Sequence, residues 1–184
     1  MSKVLIPLAD GFEDVEAITA IDVLRRGGVE VVTASISGEL SVRSAHGVRI
    51  QADALFADVA SDSYEAMLLP GGGEGTERLR ACGPVIERLR RQKEENRLIC
   101  AICAAPLVLL EAGVLEEDQH LTCYPTCALE FENAAKDVPV VADGMLVTGE
   151  APGSSLLFAL VVLQTLEGDQ VAHKVARGMV TDVL

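Results

Sequence analysis

Cys103 closes a short apolar run, Leu98-Ile-Cys-Ala-Ile-Cys103, and helix-forming sequence resumes two or three residues later. A thiol at such a junction faces the free N–H groups and the positive dipole end of the helix, which favour thiolate over thiol. A strand-to-helix corner also holds the sulfur outward, as a nucleophile elbow holds its serine. Cys103 is therefore the candidate nucleophile. Packing is the alternative reading, because cysteine is among the most buried residue types.

Two further features fall where strands should end. Glu16 lies in the acidic turn Glu13-Asp14-Val15-Glu16, which opens a helix. Carboxylates there can simply complement the helix dipole, or one can serve as a proton carrier. Gly71-Gly72-Gly73 follows the apolar stretch Ala66–Leu69. It is either a tight turn or a set of backbone N–H groups that a reacting oxygen can approach closely. If the strands before these features are neighbours, a thiol, a carboxyl group and exposed amides converge. That combination suits thiolate addition to an electrophilic carbon with proton transfer and oxyanion support. Phosphate binding fits less well, since no Lys-Ser/Thr follows the glycines and G-x-G-x-x-G is not matched.

The other sulfur and imidazole groups add alternatives. Five cysteines, an odd number, are expected as free thiols rather than a disulfide framework. Cys100, Cys103, Cys123 and Cys127 give C-x2-C-x19-C-x3-C, close to zinc-ribbon spacing. Cys100 sits within an apolar strand pattern without a glycine knuckle, so no metal site is expected. A thioredoxin-like reading fails because the first cysteine precedes the turn. Cys82 has no evident partner. Of His46, His120 and His173, none is placed beside Cys103 by sequence, although His46 could reach a site or a partner subunit.

The elements that must position these groups alternate. Strands are expected at 3–7, 30–34, 66–69, 97–102 and 121–123, with a late hairpin, 138–142 and 145–148, around Asp143-Gly144. Helices are expected over 13–26, from about 77 and 84, over 107–113, 152–166 and 168–177. Residues 40–52 read as a hairpin or edge excursion around Ala45-His46-Gly47. The pattern predicts one α/β domain over residues 1–184, with helices on both faces of a mainly parallel sheet. Sites in such sheets lie beyond the carboxyl ends of the strands, near the switch in strand order.

Composition excludes several functions. The net charge of −13, from 28 acidic and 15 basic residues, repels nucleic acids and anionic lipids. The basic residues Arg88, Arg90, Arg91, Lys93 and Arg97 alternate with glutamates and read as a solvated helix face. Aromatic residues, at 3 %, leave little for base stacking. No apolar run approaches the roughly 20 residues of a membrane span. The N-terminus enters a strand pattern directly, so a cytoplasmic location is expected.

The assembled residues resemble the ThiJ/PfpI family, in the branch containing the parkinsonism-associated protein deglycase. The matching stretches are Gly11-Phe-Glu-Asp-Val-Glu16 with Asp22-Val-Leu-Arg-Arg-Gly-Gly28, Leu68-Leu-Pro-Gly-Gly72, Ala101-Ile-Cys-Ala-Ala-Pro106, and Thr148-Gly-Glu-Ala-Pro-Gly-Ser-Ser155 before Phe158-Ala-Leu160. The resemblance implies a flavodoxin-like three-layer sandwich that forms a homodimer. It also implies an oxidation-sensitive nucleophile at Cys103, a protonated carboxyl at Glu16 bonded to it, and an anion pocket from the N–H groups of Gly71, Gly72 and Ala104. Tyr124 stands where some relatives carry histidine, and a phenol is a poor general base at neutral pH. Ala104 stands where the protease-like branch has histidine, so peptidase activity is not expected.

The expected function is cofactor-independent glyoxalase or deglycase chemistry on methylglyoxal-like 2-oxoaldehydes or their protein adducts. The alternative is a redox-sensing, chaperone-like protein that uses the same cysteine without turnover. For the homodimer, the first helix, the 40–52 excursion and the apolar 156–163 helix are the candidate surfaces.

Overall fold

The structure, a computed structural model, describes residues 1–135 and 137–184. β1 (Lys3–Leu8) leads through α1 (Asp14–Arg26) to β2 (Glu30–Ser35). A small hairpin, β3 (Ser41–Arg43) with β4 (Arg49–Gln51), precedes the short β5 (Ala54–Leu55) and one helical turn, α2 (Phe56–Val59). β6 (Ala66–Leu69) is followed by α3 (Gly73–Arg80) and α4 (Gly83–Glu94). Then come β7 (Leu98–Ile102), α5 (Pro106–Ala112), β8 (Val140–Asp143), β9 (Leu146–Gly149), α6 (Ser155–Glu167) and α7 (Asp169–Gly178).

Seven strands form one sheet in the order β5-β2-β1-β6-β7-β9-β8. Pairing is parallel throughout except between β8 and β9. Every residue of β6 and β7 is buried, as continuous apolar strands must be when helices cover both sheet faces. Val4, Ile6, Leu8, Leu68, Cys100 and Ile102 pack with α1, α6 and α7. Leu5, Met67, Leu69, Ile99 and Ala101 face the opposite layer, formed by α2 to α5. The result is the expected three-layer, flavodoxin-like sandwich with a mostly parallel sheet.

The chain passes from β1 to β2 on one side and later returns to place β6 on the other. The switch in strand order therefore lies between β1 and β6, where a parallel sheet opens a crevice at its carboxyl edge. The 40–52 segment is the expected hairpin, with Val42 opposite Ile50. It is tied to the start of α1 by Gly11 N–H to Arg43 O at 2.7 Å and Ala45 N–H to Phe12 O at 2.8 Å.

Two expectations are corrected. Residues 121–123 form no strand; Leu121 makes one isolated bridge with Ala134. The Thr122 N–H donates to Thr148 Oγ1 at 2.8 Å and the Tyr124 N–H to Cys103 O at 2.8 Å, so no ladder is left to extend. The helix after the glycines begins at Gly73, not near Glu77. Glycine disfavours helix by about 1 kcal/mol, yet a Cβ at Gly75 would stand 2.9 Å from Gly11 O. Close packing against Gly11 overrides local preference there. Among the described residues, no helix is long and apolar enough to cross a membrane.

Candidate active site

β1, β6 and β7 are adjacent in the sheet, so Glu16, the glycines and Cys103 meet at its carboxyl edge. Cys103 follows β7 directly and has φ +64, a left-handed conformation. For an L residue that costs about 1–2 kcal/mol, and it persists only when surroundings enforce it. Two bonds enforce it: the Cys103 N–H donates to Gly149 O at 2.9 Å, and its carbonyl accepts the Tyr124 N–H. The corner turns the side chain into the crevice, where the residue is 8 % exposed.

Glu16 is fully buried on the first turn of α1. Its Oε2 accepts the Gly71 N–H at 2.7 Å. Its Oε1 is buried without a hydrogen-bond partner among the described residues. The neighbour left to this carboxyl is the Cys103 thiol, and the two groups shift one another's ionisation. Burial raises the Glu16 pKa to about 7; the Gly71 N–H and Cys103 oppose the rise, and the Glu13 charge adds to it.

The helix end does not make Cys103 a ready thiolate by itself. Burial pushes the thiol well above the ordinary cysteine value, and the Glu16 carboxylate pushes it further. The N–H groups of Ala104 and Gly72 pull the other way. The seven-residue α5 begins three residues beyond the sulfur, and shielding from water outweighs its dipole. A thiolate becomes accessible only while Glu16 keeps its proton, because two adjacent buried negative charges repel.

The glycine run divides its work. The Gly71 N–H holds Glu16 and is thereby withdrawn from the expected anion pocket, leaving Gly72 and Ala104 to face the sulfur. A Cβ on Gly71 would lie 2.7 Å from Glu16 Oε2 and 2.8 Å from Cys103 Cβ, so only glycine fits between the pair. Gly72 has φ +92 and caps α3.

His46 stands on the rim, with its Nδ1 2.9 Å from Asp14 Oδ2 and 3.8 Å from Glu13 Oε1. The Asp14 hydrogen bond and the Glu13 charge raise its pKa. It is thus one carboxyl away from Glu16 and does not join the sulfur. Tyr124 is half-exposed beside the corner and touches it through its backbone N–H. Glu13 is the residue the sequence reading passed over. Its N–H donates to Gly71 O at 3.0 Å and its charge acts on Glu16. Its position just before α1, at the N-cap three residues ahead of Glu16, was the available signal.

The zinc-like cysteine spacing does not become a cluster. Cys100 faces the α1 and α6 layer, whereas Cys123 and Cys127 face the opposite layer. Among the described residues, the donor atoms close enough for a cation are those of Glu13, Asp14 and His46, within 4.8 Å of one another. There Asp14 already accepts the Ser44 hydroxyl at 2.5 Å.

The family model described as DJ-1/PfpI matches residues 2–165. The chain belongs to the DJ-1/PfpI family. DJ-1 homolog B of Arabidopsis thaliana is 37 % identical over 180 residues, covering 97 % of this chain but 41 % of that longer protein. The glutathione-independent glyoxalase DJR-1.2 of Caenorhabditis elegans is 36 % identical over 177 residues, covering 95 % of this chain and 92 % of the relative. The solved structure of oxidized Toxoplasma gondii DJ-1 superposes with a TM-score of 0.93 at 34 % identity, covering 98 % of this chain and 99 % of that one. DJ-1/PfpI membership thus rests on nearly the whole fold, including all three elements that carry the thiol, the carboxyl and the glycines.

Proposed function

We propose that the protein is a cysteine-dependent, glutathione-independent glyoxalase acting on methylglyoxal-like 2-oxoaldehydes, with Cys103 and Glu16 as its catalytic pair. The observation that carries this is the fully buried Glu16 carboxyl, with one oxygen held by Gly71, the other without a hydrogen-bond partner, and the Cys103 thiol acting on its ionisation. The nematode relative named as a glyoxalase supports it.

Each group has a place in the chemistry. The Cys103 thiolate attacks the aldehyde carbon of methylglyoxal, and the C–S bond forms as the carbonyl pair moves to oxygen. The N–H groups of Gly72 and Ala104 stabilise that oxyanion. Glu16 gives its proton to the oxygen, then removes the proton from the former aldehyde carbon and returns it to the adjacent carbon, while the new hydroxyl proton passes to the neighbouring carbonyl oxygen. A lactyl thioester results, and water releases lactate and the thiol. One water is added overall, and the aldehyde carbon is oxidised as the adjacent carbon is reduced, so no outside oxidant is needed. Hydrolysis of early protein adducts of the same aldehydes would begin from the same thiohemiacetal. No metal or organic cofactor enters any step.

Lactate formation from methylglyoxal without glutathione tests the proposal. Cys103→Ala is expected to fall to background, and Glu16→Gln to lose about 10²–10⁴-fold. Activity retained by Cys103→Ala ends the proposal.

A second reading shares the site. The amides of Gly72 and Ala104 and a protonated Glu16 are the donors that an oxidised Cys103 would need, and the Toxoplasma relative was solved oxidized. Intact mass after mild peroxide should show oxygen added first at Cys103 if the protein responds to oxidation. Uniform oxidation of all five cysteines counts against this. A homodimer through α1 and the β3–β4 hairpin belongs to the same proposal, since Val15 and Ile18 there are 50 % and 44 % exposed.

A further inference from the structure

Arg88, on α4, is 3 % exposed, so it does not join the solvated basic face expected from the sequence. None of its three guanidinium nitrogens has a hydrogen-bond partner among the described residues. The guanidinium carbon lies 5.6 Å from the centroid of the Tyr64 ring, and Lys3 Nζ lies 5.1 Å from the same centroid. Lys3 opens β1 and Tyr64 stands two residues before β6. This is the amino edge of the sheet, opposite the carboxyl edge that holds Cys103 and Glu16.

A guanidinium keeps its proton at neutral pH and presents five donors in a planar fork. Burying that charge without an acceptor is unfavourable unless something else supplies one. Tyr64 offers its ring face, while its hydroxyl donates to Val59 O at 3.1 Å. Burial and the neighbouring Arg91 lower the Arg88 pKa, consistent with a charge short of partners. The carboxylates of this helix serve its other cations: Glu87 pairs with Arg90 at 3.5 Å and Glu95 with Arg91 at 2.7 Å.

Arg88 also lines an open groove of about 470 Å³ between the end of α2 and α4, with Ser61, Pro84, Arg91 and Glu94 among its walls. We propose that this groove binds a small free oxyanion, a phosphate or a carboxylate, gripped by the Arg88 fork and supported from the rim by Arg91. A planar fork matches two oxygens of either group. Arg91 holds Ser61 O through Nη1 at 2.9 Å, which fixes the rim on which the anion would rest. The nitrogens of Arg88 are closed to water, so binding turns the fork from the Tyr64 ring into the groove. Glu87 and Glu94 fence the opening and, with a net charge of −13, turn away large polyanions. The inference stands apart from the glyoxalase proposal.

The test is titration of the full chain with sodium phosphate and, separately, sodium acetate, at constant ionic strength in an oxyanion-free buffer, with sodium chloride as control. NMR follows the Ser61, Tyr64 and Arg88 signals, and thermal unfolding follows stability. At least one oxyanion is expected to give saturable shifts at these residues and to raise the melting temperature by mass action. Arg88→Met should lose both effects, yet unfold no lower than wild type without oxyanion, because it removes a buried unpaired charge. Arg88→Lys, which keeps the charge and loses the fork, should bind about tenfold more weakly. Glu94→Gln should bind about threefold more tightly. Phosphate-only or acetate-only binding identifies which oxyanion the groove takes. Absence of saturable shifts with both, or equal shifts in wild type and Arg88→Met, overturns the proposal. Methylglyoxal turnover by Arg88→Met should match wild type.

Discussion

A carboxyl that prefers to stay protonated and a thiol that prefers not to ionise can still give a nucleophile if they hold one proton between them. Glu16 titrates near 7 when folded, against an ordinary 4.5. The folded state therefore binds this proton more tightly than the unfolded state does. That stabilisation is fully present below about pH 4.5 and is lost as pH rises through about 7, on the order of 3 kcal/mol. Denaturant unfolding of wild type should weaken by roughly that amount between these limits, relative to Glu16→Gln. Parallel pH curves for the two proteins would mean an ordinary carboxyl. At this scale the sequence was informative about identity and poor about charge. Cys103 and Glu16 could be named from their places after strands. The direction of the thiol's shift could not, because burial comes from α1, β9 and the 121–124 segment closing over the corner, and none of these is local to Cys103.

At the scale of elements, the site exists because β1, β6 and β7 are neighbours and their carboxyl ends open where the strand order switches. Alternating strands and helices made that arrangement legible, since parallel strands require crossover helices. Less legible were segments whose hydrogen bonds leave the local chain. The 121–123 stretch looked like a strand, but the Thr122 N–H bonds Thr148 Oγ1 and the following Tyr124 N–H bonds the Cys103 carbonyl. Helix was expected only from about residue 77, but α3 starts at Gly73, and the close approach of Gly72 and Gly75 to Gly11 requires glycine at those two positions. The strand-end glycines are thus spacers as well as amide donors. Gly71→Ala should force Glu16 and Cys103 apart, costing about 1–3 kcal/mol of stability and at least about tenfold in kcat/KM for methylglyoxal. Wild-type turnover in Gly71→Ala would show that the contact has no role in holding the pair.

For the whole molecule, three candidate contact surfaces could not be told apart by hydropathy, because core and interface are both apolar. The fold separates them. α6 gives Phe158, Leu160, Val162 and Leu163 to the core, while α1 leaves Val15 and Ile18 outside. Light scattering should therefore report twice the chain mass for wild type and a single chain for Ile18→Glu. A monomeric wild type would remove the dimer proposal. The net charge of −13 keeps the surface averse to phosphate polymers.

The most direct test of the shared proton is the pH dependence of Cys103 alkylation by iodoacetamide, read by mass on the intact protein with the other four cysteines replaced. The pair should give up its shared proton near 7, the value to which burial raises Glu16, with part of the resulting charge on sulfur, so the rate should rise there, and that step should vanish in Glu16→Gln. A rate that stays flat through neutrality and climbs only above the ordinary thiol range, about 8.5, would contradict the account, because the charge would then reside on the carboxylate and leave the sulfur protonated.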